Sequence, residues 1–266
     1  AVPFHIWTPD VYVGVPTPVT AYLAVASKAA SFAILLRIFY EGIGTLRIEW
    51  QWIVAVVAAA TMIWGNIAAL TQENVKRMLA YSSIAHTGYM LVGLAAYAGG
   101  QQLGLEGLLF YAAAYSFMNL GGFAVIAAMQ KRAGVTSSLD TFAGLGRREP
   151  LLGALMTLFL LSLTGIPPTA GFFAKALVIL AAVQAGGWVS FLAVLAVINA
   201  AIAAFYYLRV VVYMYMREAT TDAEPPRHGR LLWSGLAVAT ALTILLGFFP
   251  FLITGIINQA ATAIGG

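Results

Sequence analysis

The chain contains no cysteine, which excludes both a disulfide framework and a thiolate metal site. It is also poor in charge. Only 9% of its 266 residues are Asp, Glu, Lys or Arg, against about 25% in soluble domains. That scarcity excludes a charged nucleic-acid surface. Histidine is limited to three scattered residues, and no cluster has metal-ligand spacing. "GLGRREP" at 144–150 has no preceding strand and no P-loop lysine, so it reads as a connection rather than a phosphate cradle. The opening "AVPFHIWTPD" has neither the basic nor the apolar region of a cleavable signal.

What is abundant is apolar side chain, at 61% of residues, with a mean hydropathy of +0.88. This is the composition of an all-α, polytopic membrane protein, for which domain counting by length does not apply. A helix needs about 20 apolar residues to cross a bilayer. Runs of that kind predict spans over 17–40, 50–71, 76–98, 106–130, 188–215 and 231–258, with an interrupted segment over 151–184. Residues 1–16 read as the end of a preceding span and a lead-in.

Basic residues orient these spans. With the connections labelled alternately, one side carries Lys76, Arg77, Lys131, Arg132, Arg147, Arg148, Arg217, Arg227 and Arg230, and the other carries Arg47 alone. The basic side is expected to be cytoplasmic and the C-terminus to lie outside. Arg37 and Arg209 lie near span ends, where they can reach the interface.

Two lysines have no such explanation. Lys28 sits about 16 Å into its span, and Lys175 is similarly central. Lysine at that depth costs about 3 kcal/mol on insertion scales and marks an ion or proton path by default. The acids are Asp10, Glu41, Glu49, Glu73, Glu106, Asp140, Glu149, Glu218, Asp222 and Glu224, all in connections or at span ends. None can neutralise either lysine at mid-membrane. Burial disfavours the charged form of an amine, so each lysine is a candidate proton carrier. The alternative is a lysine that stays neutral, or one paired with an acid on another segment. His86, in "LAYSSIAHTGYMLVGL", suits proton relay, with Ser82, Ser83 and Thr87 offering hydroxyls; it equally suits donation to a helix carbonyl. His5 and Tyr115 are further relay candidates. Asn66, Asn119 and Asn199 read as helix-packing amides.

Helix breakers add a third signal. "GIPPTAG" cannot continue a helix, because Pro167 and Pro168 lack donors. With Gly165 and Gly171 they place a break near 165–171. Broken helices are tolerated in membranes where they line protein or water. A second half-helix starting near Thr169 puts its positive dipole end close to Lys175, which disfavours charge there. A similar phrase, "GVPTPVTAYLAVASK", precedes Lys28, with its prolines at the span entrance.

The stretches "PFHIWTPDVYVGVPTPVTAYLAVASKAASFAILLRIF", "NVKRMLAYSSIAHTGYMLVGLAAY" and "LTGIPPTAGFFAKALV" resemble the proton-translocating antiporter-like subunits of respiratory complex I. The "DVYxGxPTPV" form is most similar to the subunit N branch of bacterial NADH:quinone oxidoreductase. The resemblance implies an antiporter-like fold of fourteen helices with two inverted five-helix repeats. This chain would be the C-terminal part, with one repeat over 50–215. By motif, Lys28 matches the family's central lysine and Lys175 its terminal lysine on the broken helix. His86 and His5 match positions where relatives place histidine, and Tyr115 aligns with a histidine of a sister subunit. The family's fifth-helix glutamate and seventh-helix lysine would lie upstream. The resemblance further implies proton transfer without redox chemistry or a cofactor in this chain, with FMN, iron–sulfur clusters and quinone in other subunits. It implies neighbouring antiporter-like subunits as partners, in a bacterial inner membrane. A multisubunit cation/proton antiporter is the alternative, and a structural spacer whose lysines only fix helix packing is a third reading.

Overall fold

The structure, a computed structural model, describes residues 1–130, 137–219 and 229–265. Lys131, Arg132 and Arg227 of the basic side lie outside the described residues, as do Asp222 and Glu224. Apolar runs of this length leave the backbone no partner but itself, so they wind into helices. The helices are α1 (Trp7–Gly14), α2 (Thr17–Arg37), α3 (Arg47–Leu70), α4 (Val75–Ala98), α5 (Gln102–Met129), α6 (Pro150–Thr164), α7 (Ala170–Ala185), α8 (Val189–Met216), α9 (Arg230–Phe248) and α10 (Phe251–Gly265).

Among the described residues five segments are long and apolar enough to cross a membrane: α2, Gly44–Leu70 (which holds α3), α5, α8 and α9. Helix α4 is not among them, and the reason is its place. It is buried almost throughout and packs against α3, α5, α7 and α8. A helix that faces protein rather than lipid can carry polar side chains. The outward faces are apolar instead, as at Ile53, Val56, Val194, Val197 and Phe205.

The sequence run over 231–258 does not form one span. Pro250 divides it into α9 and α10, because proline lacks an amide hydrogen and pushes the preceding residue out of the helical region. In α2, by contrast, Pro18 falls in the first turn, where the missing donor costs nothing. The same helix widens to a π-helical turn over Leu23–Ser27, directly before Lys28.

Two connections and the last turn of α8 meet at one end of the bundle. Val75 N donates to Ser137 O at 2.7 Å, Leu139 N to Glu73 O at 2.8 Å and Gly144 N to Tyr213 O at 3.3 Å. Lys76, Arg77, Arg147, Arg148 and Arg217 therefore gather at that end. Arg47 starts α3 at the other.

Candidate functional site

Lys28 follows the π-helical turn of α2 and reaches across to α4. Its Nζ donates to Ser83 O at 2.7 Å and to Ser83 Oγ at 2.8 Å. The same carbonyl accepts from Thr87 Oγ1 at 3.0 Å. The ring of Tyr115 lies 4.2 Å from the ammonium. Lys28 is half-buried. It borders a cavity of about 170 Å³ lined also by Thr8, Tyr12, Ser27, Ser31 and Thr87.

Lys175 occupies the helix break. Helix α6 ends at Gly165, which adopts a left-handed φ of +91°. Its amide donates to Ser162 O at 3.0 Å and that of Ile166 to Leu161 O at 3.1 Å, the pattern of a Schellman cap. The stop thus comes at Gly165, two residues ahead of the prolines expected to impose it. The prolines do something else. In a continued helix the carbonyls of Leu163 and Thr164 would accept from residues 167 and 168. Both are proline and have no N–H to give. Lys175 takes both freed oxygens, at 2.9 Å to Leu163 O and 2.8 Å to Thr164 O. It can do so because helical side chains lean toward the N-terminus of their own helix, here toward α6.

This corrects the dipole expectation. The start of α7 is not the helix end that Lys175 senses most directly. Its ammonium sits on the carbonyl end of α6, whose polarity is complementary to a cation. Two glycines permit the arrangement. A Cβ at Gly171 would stand 1.8 Å from Ser162 O, so only glycine lets the half-helices approach; a Cβ at Gly247 of α9 would stand 2.5 Å from Pro168 O. Lys175 is 5% exposed, with the Tyr89 ring 5.0 Å from its ammonium.

His86 lies between. Its Nδ1 bonds the Tyr111 hydroxyl at 2.7 Å and its Nε2 the Tyr207 hydroxyl at 3.2 Å. Tyr207 in turn bonds Ser82. The rings that touch the two lysines also flank the imidazole, Tyr115 at 5.1 Å and Tyr89 at 6.0 Å between centroids. Among the described residues no hydrogen bond joins His86 to either lysine, and no carboxylate pairs with either; Asp10 pairs instead with Arg77, at 3.1 Å.

The remaining candidates separate. The Tyr115 hydroxyl lies near Ser83 but closes no hydrogen bond. His5 stands edge-on to Trp64 at 6.1 Å and shares no hydrogen bond with the network. Arg209 does not reach outward: it donates to Leu70 O at 3.0 Å and to Gln72 O, holding the end of α3. Asn66 and Asn199 do meet, at 3.0 Å, and the Tyr206 hydroxyl donates to Asn66 Oδ1 at 2.9 Å. Asn119 Nδ2 is buried without a partner. Sequence reasoning missed Tyr111, Tyr207 and Tyr89. A readable signal existed for one: Tyr111 and Tyr115 are four apart on α5 and share a face.

Comparison with known proteins follows the same lines. A family model described as NADH:quinone oxidoreductase/Mrp antiporter, transmembrane, matches residues 1–203. NADH-quinone oxidoreductase subunit N 2 of Sorangium cellulosum is 48% identical over 94% of this chain and 50% of its own length. The chain therefore spans about half the length of the curated relatives it matches. Among solved structures, a chain of respiratory complex I from Thermus thermophilus with bound aureothin superposes with a TM-score of 0.79 at 35% identity, covering 96% of this chain and 54% of that one. A chain of the Mrp complex from Dietzia sp. superposes with a TM-score of 0.85 at 25% identity, over 99% and 56%. A discontinuous, buried-lysine bundle and these matches agree: the chain belongs to the NADH:quinone oxidoreductase/Mrp antiporter transmembrane family.

Proposed function

We propose that this chain is the proton-translocating part of a subunit-N-type membrane subunit of complex I, NADH:quinone oxidoreductase. The observation that carries the reading is the environment of the two lysines. Each is held by neutral oxygens alone, and a histidine with both ring nitrogens hydrogen-bonded stands between them. A lysine with carbonyl acceptors and no counter-ion can lose and regain a proton without leaving a carboxylate unpaired. His86 accepts a proton at one nitrogen as it releases one from the other. Its phenol partners Tyr111 and Tyr207 receive and return those protons. Lys28, on a cavity, exchanges with water; Lys175 is the buried terminus of the relay. Ser82 and Ser83 carry hydrogen bonds within it, and Tyr115 serves Lys28 through its ring. His5 belongs to a separate position near α1.

In this reading NADH and quinone chemistry take place in other subunits, which hold FMN, iron–sulfur clusters and quinone. The partners of this chain are membrane subunits, including other antiporter-like ones, in the bacterial inner membrane. Its basic end is cytoplasmic and its C-terminus lies outside. A multisubunit cation/proton antiporter is the rival, supported by the fold shared with the Dietzia chain. The higher identity to the Thermus complex I chain favours the first reading. Sodium-driven proton flux without quinone reductase activity would reverse that preference.

The test is Lys28→Ala and Lys175→Ala in the assembled complex, with proton uptake into inverted vesicles measured per NADH oxidised. Each substitution is expected to lower the ratio severalfold or more, since a positioned proton-transfer group is worth about 10²–10⁴ in the rate of its step. Normal pumping with normal assembly removes that lysine from the path.

A further inference from the structure

The first residues of α7 are buried, and a buried helix start needs partners for its first amides. Thr169 stands at the capping position but does not cap: its Oγ1 donates to Ile166 O at 2.7 Å. A partner comes instead from across the break. Ser162 Oγ accepts from Gly171 N at 3.2 Å and gives its own hydrogen to Met118 Sδ of α5 at 3.4 Å. The other hydroxyls of α6 stay on their own helix, Thr157 on Gly153 O and Thr164 on Leu160 O, each at 2.8 Å. Ser162 is 0% exposed.

Two links therefore join α6 to α7 side by side. Ser162 bonds Gly171, and the next two carbonyls, of Leu163 and Thr164, take Lys175, about one turn beyond Gly171. The lysine stem passes the cap closely, since a Cβ at Gly165 would stand 3.0 Å from Lys175 Cδ. Helix α9 backs the same turn: a Cβ at Gly247 would stand 2.6 Å from Thr169 Cα. The two links differ in one respect. The lysine link is charge-assisted and weakens when the ammonium gives up its proton. The serine link is neutral and does not depend on that proton. Capping alone would be served by Thr169, the local residue. An acceptor placed on α6 makes the cap a tie across the break.

We propose that Ser162 is a positioning residue for Lys175: its neutral link to Gly171 keeps the Leu163 and Thr164 carbonyls within reach of the lysine while the proton is away. The amine is then reprotonated in the place it left. Met118 takes the hydroxyl hydrogen, which leaves the serine oxygen free to face the Gly171 amide. Ser162 itself passes no proton. The inference rests on the proton-translocating reading.

The experiment is the proton-to-electron ratio of the whole complex in inverted vesicles. Ser162→Ala removes only the hydroxyl and should lower the ratio about threefold at normal assembly, the scale of one neutral hydrogen bond in free energy. Ser162→Thr and Ser162→Val have nearly the same shape and differ by that hydroxyl. Ser162→Thr should pump about threefold better than Ser162→Val, whereas a packing role would make the two equal. Thr157→Val removes a hydroxyl that stays on its own helix and should pump normally. An unchanged ratio in Ser162→Ala, equal ratios in Ser162→Thr and Ser162→Val, or a loss in Thr157→Val as large as in Ser162→Ala overturns the positioning role. If Ser162→Ala does not assemble, Ser162→Cys, whose thiol accepts only weakly, should show a loss of similar size, and normal pumping there overturns the role. Lys175→Ala measured alongside separates the two levels. If it too pumps normally, the proton-translocating reading fails. If it is impaired while Ser162→Ala is not, the role of Ser162 alone fails.

Discussion

The surroundings of the two lysines look alike in outline and differ in construction. Each ammonium has two oxygen acceptors and a tyrosine ring beside it. Lys175 takes two carbonyls from its own broken segment, oxygens left free because α6 ends at Gly165 and kept free because Pro167 and Pro168 cannot extend the helix past it. Lys28 borrows the carbonyl and hydroxyl of Ser83 on a neighbouring helix, and that carbonyl already serves Thr87. Lys175 is 5% exposed, whereas Lys28 is half-buried on a cavity. A partner created by a covalent defect is always available, and a borrowed one must be shared. Lys175 is therefore tied to its own segment, and Lys28 to a neighbouring helix.

The two proline phrases sharpen the same contrast. "GIPPTAG" frees carbonyls that Lys175 takes. "GVPTPV" also ends a helix, but the lysine on its carbonyls is Lys76, at 2.8 Å to Val15 O. Lys28 stays clear of them. The likeness of the phrases is thus one of backbone and not of lysine role, and the glycines show it most sharply. A Cβ at Gly171 would lie 1.8 Å from Ser162 O, whereas one at Gly14 would meet nothing within 4 Å. Gly171→Ala should give the largest effect of any single change at the break. Overpacking of this kind costs about 1–3 kcal/mol or more, enough to cut the yield of assembled complex about tenfold on native gels. Gly14→Ala should assemble normally. Equal yields for the two would break the comparison.

Much of this was legible in the sequence, and for a physical reason. Lysine at mid-membrane is costly and a proline pair cannot continue a helix, so Lys28, Lys175 and the break stand out against apolar surroundings. The freed carbonyls could have been found by counting four residues back from Pro167 and Pro168. Other features were hidden because their signals coincide with ordinary ones. Tyr111, Tyr207 and Tyr206 look like core aromatics until a third helix brings His86 and Asn66 to their hydroxyls. The division of the last run at Pro250 was hidden inside continuous hydrophobicity. That Arg209 caps α3 depends on how α3 and α8 pack, which no local pattern records.

A subtler change tests whether the freed carbonyls matter. Replacing Pro167 and Pro168 together by Ala returns two N–H donors and lets α6 extend past Gly165, which would bring those donors to Leu163 O and Thr164 O. Those donors then compete with Lys175. With a hydrogen bond contributing about 1 kcal/mol, proton pumping per electron should fall about fivefold, and assembly should hold. The same measurement at the first phrase, with Pro16 and Pro18 replaced by Ala, should leave pumping near normal, because Lys28 takes no carbonyl there. A loss of equal size at both phrases would mean that the prolines act through backbone shape.

The smallest effect is expected at Tyr115, and it asks which part of that residue Lys28 uses. The hydroxyl closes no hydrogen bond, whereas the ring lies 4.2 Å from the ammonium. Tyr115→Phe keeps the ring and should leave pumping within about twofold, since removing an unpaired hydroxyl forfeits no hydrogen bond. Tyr115→Leu removes the ring face, a contact of about 0.5–2 kcal/mol for a cation, and should lower pumping several-fold. At Lys175 the matching pair is Tyr89→Phe and Tyr89→Leu. There the hydroxyl is engaged, donating to Ala196 O at 3.1 Å, so Tyr89→Phe should cost more than Tyr115→Phe. If Tyr115→Phe proves the more damaging, its hydroxyl is a relay group after all, and Lys28 is tied into the hydrogen-bonded path as firmly as Lys175 is tied to its break.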